Sequence, residues 1–559
     1  MIGIVLREEL YLGKYIIWQN AKMSKKHRKS NKSIENAIKP AGNSAEIVSV
    51  TDVKTFLLAN LDSIIVLIFL SLGIYINSLN GVFVSDDIAG IVTNPMTKDF
   101  TASVKTLQLQ KIIHSAIFLT FGMNQIPFHI SSLSIHILNV ILAYIFATQL
   151  FGKKIAFLST LLFAAHPVNV EAVSWISGSL YLINGFGGLT TLILYTLYKK
   201  TNRTKYYWLS FILYLFLIVL LQNVWAFTIP TLIAVLEAAI FQKRPVLKNF
   251  LLLSLFILPS LGLFLYLKRS VVSVITTIGL VTTSAPFLTR LPYTFASSLK
   301  LLVFPKDLTL YHEELAISYN TYLAMTAVLL LFVILLLILW KKNRTLFGLV
   351  FFIPVSILPA LSPIQIAWLV AERYLYFASF VFVILVVLLF TYIEKKTNVK
   401  NAAAILTAVL LLIYAAKTVI RNTDWRTEKS LWEATEKVSP QSPKVHNNLG
   451  DIYGREGDWE RSVAQFKRAI DLDPNYADAW HNLGNTYLQL GYLDLAETHL
   501  KKSFELNPNL YQALFKLGAI EYQKKNYAKA TEYMTEVLKI NPKLEDAKKA
   551  LQIIADTAR

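Results

Sequence analysis

The sequence predicts an all-α protein, in which a polytopic membrane bundle of about 11 spans is followed by a solenoid of helical repeats. Three observations predict this fold class. Hydrophobic residues make up 54% of the 559 residues, and the mean hydropathy of +0.47 is too high for a soluble protein. Apolar runs of membrane length recur up to residue 420, with basic residues in alternate loops. After residue 424 the chain becomes polar, and prolines recur every 34 residues.

The charge balance indicates membrane topology and argues against nucleic-acid binding. Lys and Arg number 55 and Asp and Glu number 36, so the formal net charge is +19. The basic residues cluster in short loops between apolar runs, where they act as topology signals. The chain has no Cys, which excludes a disulfide, a thiolate nucleophile and a Cys-based metal site.

Apolar runs predict the individual spans of a membrane domain over residues 56–421. If the basic loops are cytoplasmic, the basic segment 1–55 is also cytoplasmic and the repeats are extracytoplasmic. Residues 270–304 are then expected to lie on the outer surface as helices. The predicted spans are 61–79, 126–150, 155–165, 180–198, 206–221, 224–241, 249–267, 321–340, 345–361, 372–393 and 401–420.

The first outer loop carries an acidic pair, Asp86 and Asp87, directly after the first span. Taken alone, such a pair is more often solvated surface than a site. A metal site would need further carboxylates or His at ligand spacing, and no tight spacing is visible. General base is the better interpretation: one carboxylate accepts a proton from an acceptor hydroxyl, and its neighbour raises its pKa or positions the acceptor.

Other polar residues fall in loops on the same outer side. An Arg at a span end can pair with a neighbouring Glu or bind a lipid phosphate in bidentate fashion. A His-Pro-Glu cluster can be the solvated end of a Pro-terminated helix or part of a shared cavity. The candidates for substrate and donor binding are His166, Glu171, Tyr311, His312, Glu372 and Arg373.

The C-terminal part, 424–559, shows the tetratricopeptide signature of two antiparallel helices per repeat. Leu449-Gly450 recurs as Leu483-Gly484 and Leu517-Gly518. Full repeats are predicted over 443–476, 477–510 and 511–544, with a partial repeat at 424–438 and a capping helix at 545–558. Such repeats supply a concave binding surface and no chemistry.

Four motifs in order, followed by the repeats, resemble the transmembrane-and-tetratricopeptide protein O-mannosyltransferases and their bacterial relatives. The first is a loop with Phe83, Asp86, Asp87, Ile91, Asn94 and Pro95. The others are HPVNVEAVSWISG (166–178), LLVFPKDLTLYH (301–312) and AERYLYFAS (371–379). The family often continues the second motif with a charged Gly-Arg-Ala-Asp/Glu stretch, where this chain has Gly178-Ser179-Leu180-Tyr181.

The resemblance implies a GT-C-like membrane domain that transfers a mannose-like sugar from a polyprenyl-phosphate donor to a hydroxyl, with inversion and without a metal or cofactor. It implies that Asp86 is the base, that Asp87 is its acidic partner, and that His166, Glu171 and Arg373 lie near the donor or acceptor. The expected partners are the lipid donor and a protein or peptide acceptor held by the repeats. The expected location is a bacterial cell membrane rather than the endoplasmic reticulum. The alternative is a non-enzymatic membrane scaffold whose repeats recruit partners.

Overall fold

The computed structural model describes residues 53–221, 228–241, 253–262, 265, 286–312, 318–361 and 368–558. The predicted cytoplasmic segment 1–55 lies almost wholly outside these residues. The chain divides into two units, Met1–Leu308 with Ser318–Trp425, and Thr309–Ile317 with Arg426–Arg559. Regular structure in the described residues is helical throughout, so the predicted all-α class is confirmed.

In the first unit, six described helices are long and apolar enough to cross a membrane. A seventh candidate is a pair, Lys153–Ala165 and Pro167–Ser174, bent by 54°. The six are Leu61–Asn80, Gln125–Phe151, Ile176–Thr201, Tyr319–Lys342, Glu372–Thr397 and Ala402–Asp424.

Of the other predicted spans, the described helical parts are shorter than the roughly 20 residues that a bilayer requires, and several of them border residues outside the described ranges. They are Thr204–Leu221, Thr228–Val235 continued by Leu236–Ile240, Leu253–Gly262 and Arg344–Ser356. The predicted run 249–267 lies partly outside the described residues. The count of about 11 spans therefore stays a prediction. Of the predicted surface segment 270–304, the described part is the helix Phe287–Val303.

The basic loops of the first unit meet at one end of the helices. Lys154 pairs with Glu394 at 2.7 Å, and the Lys200 ammonium donates to the backbone carbonyl of Gln149. Lys199 pairs with Glu237 at 2.7 Å. These contacts join loops that are far apart in sequence, as the alternation of basic loops predicts.

The second unit is a stack of antiparallel helices. The helix Glu428–Val438 is capped at its N-terminus by a capping box of Thr427 and Ser430. It therefore starts at residue 428, four residues after the start of the predicted partial repeat at 424. Three helix pairs and a final helix follow: Pro443–Arg455 with Trp459–Leu472, Ala477–Gln489 with Leu493–Leu506, Tyr511–Gln523 with Tyr527–Ile540, and Glu545–Thr557.

Close packing inside each repeat explains the periodic glycines. A Cβ on Gly450 would lie 2.7 Å from the Phe466 ring, and one on Gly484 would lie 2.8 Å from Leu500. Helices can approach this closely only where no side chain intervenes. The repeats therefore share one continuous apolar core, in which Leu483, Leu500, Leu517 and other residues are buried.

Candidate functional site

The centre of the candidate site is residues 166–178, called the hub segment below. The preceding helix ends at Ala165 because Pro167 cannot donate the next backbone hydrogen bond. Short helical turns then follow: Pro167–Asn169, Val170–Ser174 and Ile176–Gly178. Every residue from His166 to Ile176 is buried. The hub segment is thus packed inside the first unit rather than forming a solvated helix end.

The two acidic residues of the first loop have different surroundings. Asp87 is buried, and its Oδ1 accepts from the Ser177 backbone N–H at 2.8 Å and the Ser177 hydroxyl at 2.5 Å. Its Oδ2 accepts from the Val84 N–H at 3.2 Å. Asp86 is exposed. Ser85, the residue before it, has a left-handed φ of 54°, and such strained backbone conformations cluster at functional sites. Asp87 therefore fixes the loop to the hub segment and leaves Asp86 accessible.

Burial raises the pKa of Asp87 to about 7, against the lowering effect of the hydrogen bonds from Ser177 and Val84. The effect of desolvation on the pKa is thus larger than the combined effect of the hydrogen bonds that the carboxylate accepts. Asp87 therefore keeps its proton to a higher pH than an ordinary carboxyl group does.

We expect Asp87 to make stability depend on pH. Because its pKa is higher in the folded protein, the folded state keeps the proton between about pH 4 and 7 while the unfolded chain has lost it. This stabilisation is complete below pH 4 and is lost as the pH rises through 7. Thermal unfolding in detergent measures the free energy of unfolding of wild type and of Asp87→Asn. The difference between the two should change between about pH 4 and 7 and be constant above pH 7. A difference independent of pH would contradict the assignment.

Glu171 and Arg373 form a buried ion pair that joins the hub segment to the fourth motif. The Arg373 guanidinium donates to Glu171 Oε1, and the Arg373 backbone N–H donates to Glu171 Oε2 at 2.7 Å. The guanidinium also lies against the rings of Trp175 at 5.3 Å, Tyr374 at 5.1 Å and Tyr181 at 6.0 Å. Its position is thus defined by one carboxylate and three aromatic faces.

Glu372 does not pair with its neighbour Arg373. Its Oε1 accepts from Arg421 at 3.1 Å, and Arg421 also donates to Asp424 at 2.8 Å. Both Glu372 and Arg421 are buried. The adjacent charges Glu372 and Arg373 therefore have separate partners.

His166 is not brought to Arg373. His166 Nε2 lies 3.2 Å from the Leu302 carbonyl oxygen, and its ring is 4.6 Å from that of Tyr414, so it braces the third motif. Tyr311 and His312 belong to the second unit, where the Tyr311 ring packs on Trp432 at 5.3 Å. A donor-binding role for these three residues stays a prediction.

The hub segment leaves no room at Gly178. An added Cβ would lie 2.6 Å from the Glu171 carbonyl oxygen and 3.2 Å from Ala172 Cα. Because both neighbours are backbone atoms, the turn that presents Ser177 to Asp87 would have to move.

We expect Gly178→Ala to destabilise the protein by about 1–3 kcal/mol. The matched control is Gly73→Ala in the first span, where an added Cβ has nothing within 4 Å and should be neutral or stabilising by about 0.5–1 kcal/mol. Thermal unfolding in detergent measures both. Equal melting of the two variants would contradict the close contact at Gly178.

Several residues that build the site carry no signal in the sequence that marks them as site residues. Ser177 and Trp175 lie inside a recognised motif, but no pattern assigned them to Asp87 or Arg373. Arg421 and Asn422 lie at the end of the last span, where a charged residue is ordinarily an interfacial anchor. Their burial was the missing signal, and it depends on contacts between distant segments.

Comparison with known proteins identifies the repeats. Models described as TPR repeat and tetratricopeptide repeat match residues 450–491, 477–510 and 511–544. The last two matches have the same bounds as two of the predicted repeats.

Comparison also finds relatives named protein O-mannosyl-transferases. One from Caenorhabditis elegans is 28% identical over 435 residues, covering 71% of this chain and 60% of the relative. TMTC4 of Mus musculus is 25% identical, covering 70% and 64%, and TMTC3 of Mus musculus is 24% identical, covering 68% and 48%. The chain thus spans about half to two thirds of these relatives. The alignments extend well beyond the repeats, so the predicted resemblance is confirmed.

Proposed function

We propose that this chain, a relative of protein O-mannosyl-transferases, is an inverting membrane glycosyltransferase. It transfers a mannose-like sugar from a polyprenyl-phosphate donor to a hydroxyl, on protein, at the extracytoplasmic face. The observation that carries the proposal is the convergence of the motifs on the hub segment. Ser177 binds Asp87, Glu171 binds Arg373, and His166 binds the Leu302 carbonyl.

Asp86 is the proposed general base. It is exposed beside a loop that Asp87 fixes, so an acceptor hydroxyl can reach it. The acceptor oxygen attacks the sugar carbon, its proton passes to Asp86, and the bond from the sugar carbon to the phosphate oxygen breaks. The polyprenyl phosphate leaves with the electron pair. A single displacement without a covalent sugar intermediate inverts the configuration at that carbon.

Arg373 is the proposed partner of the leaving phosphate. Its guanidinium has five N–H donors, and Glu171 accepts from Nη1. Glu171 therefore orients the cation, and Tyr181 and Tyr374 also form hydrogen bonds with it. Phosphate oxygens would be bound by the N–H groups that these three residues do not use. With Asp86 taking the proton and Arg373 stabilising the charge, the proposal needs no metal ion or cofactor.

The repeats are the proposed acceptor-binding part. A pocket between the first two repeats is lined by Asp451, Asn482, Asn485, Gln489 and other residues, and the Asn482 amide donates to Asn447 Oδ1 at 3.0 Å. An amide side chain offers a donor and an acceptor, as a peptide group does. This surface suits an extended acceptor segment.

Glycopeptide mass spectrometry tests the proposed function. Cells with the gene, without it, and with the Asp86→Asn variant are compared for hexose on Ser and Thr. We expect modified peptides only with the wild-type gene. Identical glycopeptides in all three would overturn the enzyme proposal, and the scaffold alternative would then be favoured if the repeats still capture protein partners.

A further inference from the structure

The end of the last span carries a group of buried polar and aromatic residues that the proposed chemistry does not use. They are Arg421, Asn422 and Trp425, called the C-terminal clamp below. All three are buried, with 4%, 1% and 1% of their surface exposed. Buried polar groups at a span end are costly unless they are bonded, so their partners show what the clamp holds.

Each clamp residue contacts a segment of the candidate site. Asn422 Oδ1 accepts from the Ser174 hydroxyl at 2.9 Å, and its amide donates to the Ile74 carbonyl at 2.9 Å. Trp425 stacks on Trp175, with ring centroids 5.9 Å apart at 25°. Trp175 is also the ring that faces the Arg373 guanidinium. The clamp thus packs against the hub segment at Ser174 and Trp175.

Arg421 forms an ion pair with a buried carboxylate of the fourth motif. It donates to Glu372 at 3.1 Å, and Glu372 is adjacent in sequence to Arg373. Two buried carboxylates, Glu171 and Glu372, are near enough to act on one another electrostatically, and Arg421 also acts on Glu171. If Arg421 were absent, Glu372 would compete with Glu171 for Arg373.

We propose that Arg421 is a positioning residue of the transfer site: by binding Glu372, it leaves Arg373 to Glu171 and so fixes the guanidinium where the phosphate leaves. This inference rests on the proposed function. A misplacement of about 1 Å in a catalytic constellation can reduce turnover by about 10²-fold. Arg421 does not touch the donor, so its loss lowers turnover more than donor affinity.

The test compares four forms of the full chain in detergent: wild type, Arg421→Gln, Glu372→Gln and the double variant. Donor is a short-chain polyprenyl-phosphate [³H]mannose, and acceptor is a protein extract from cells lacking the gene. Rates are expressed per folded molecule, from thermal unfolding. Arg203→Gln, at an exposed arginine in a basic loop of the first unit, is the matched control and should equal wild type.

We expect Arg421→Gln to lower kcat by about 10–100-fold, with KM for the donor changed much less. Glu372→Gln should lower kcat less than Arg421→Gln does, because Arg421 keeps Asp424 and no competing carboxylate is left. The double variant should recover most of the lost turnover, since the competing carboxylate is neutral. If Arg421 contributes only packing contacts, the double variant lacks the same contacts and its kcat should be as low as that of Arg421→Gln.

The outcomes separate the two proposals. Transfer by wild type with an unchanged Arg421→Gln rate, or a double variant as slow as Arg421→Gln, would overturn the positioning role alone. Absence of transfer by wild type would overturn the proposed function, and the positioning role with it.

Discussion

Asp86→Asn is expected to reduce sugar transfer by at least about 10²-fold while leaving the fold intact, since general-base catalysis contributes about 10²–10⁴-fold. Asparagine has nearly the same shape as aspartate but cannot accept a proton. Asp86 is exposed, so its replacement leaves no buried group unpaired. Initial rates with the labelled lipid donor measure transfer, and thermal unfolding measures the fold.

The control for this variant is Asp62→Asn, the same chemical change at another exposed carboxylate. Asp62 lies in the first turn of the first span, close to the basic end, because Lys153 donates to the Ala59 carbonyl at 3.5 Å. It should transfer at the wild-type rate. Full activity of Asp86→Asn would remove Asp86 from the mechanism.

Arg373→Met is expected to lower the free energy of unfolding by about 3–5 kcal/mol, the cost of leaving one partner of a buried ion pair unpaired. The Glu171 side chain has no exposed surface and that of Arg373 is 7% exposed. Without the guanidinium, the Glu171 carboxylate stays buried, with the Arg373 backbone N–H as a remaining donor. Equilibrium unfolding in detergent measures the loss.

Two further variants test whether the loss comes from the unpaired charge. Glu171→Gln combined with Arg373→Met removes both charges and should recover most of the stability, because a buried pair adds little over neutral residues that pack well. Lys154→Met breaks an exposed pair, with Lys154 54% and Glu394 20% exposed, and should cost less than about 1 kcal/mol. Equal losses for Arg373→Met and the double variant would show that packing dominates.

The architecture could be predicted because its signals are local. The first span is apolar over 61–79 whatever it packs against, and the 34-residue period fixes the repeat helices. The count of spans was harder, because helices such as Arg344–Ser356 are too short by themselves to show whether they cross. The turn at His166–Pro167 is also local, but the 54° bend that buries the hub segment is not.

For the site, the sequence by itself determined the chemical inventory: the acidic pair, the Glu and Arg of two motifs, and an order of motifs that resembles one family. The tertiary structure decided the pairing. In the folded protein Arg373 pairs with Glu171, and Glu372 pairs with Arg421. Asp87 is buried and bound to Ser177, whereas Asp86 is exposed. The physical reason is range: hydropathy and periodicity act over neighbouring residues, whereas a buried charge selects its partner only after distant helices have packed and excluded water.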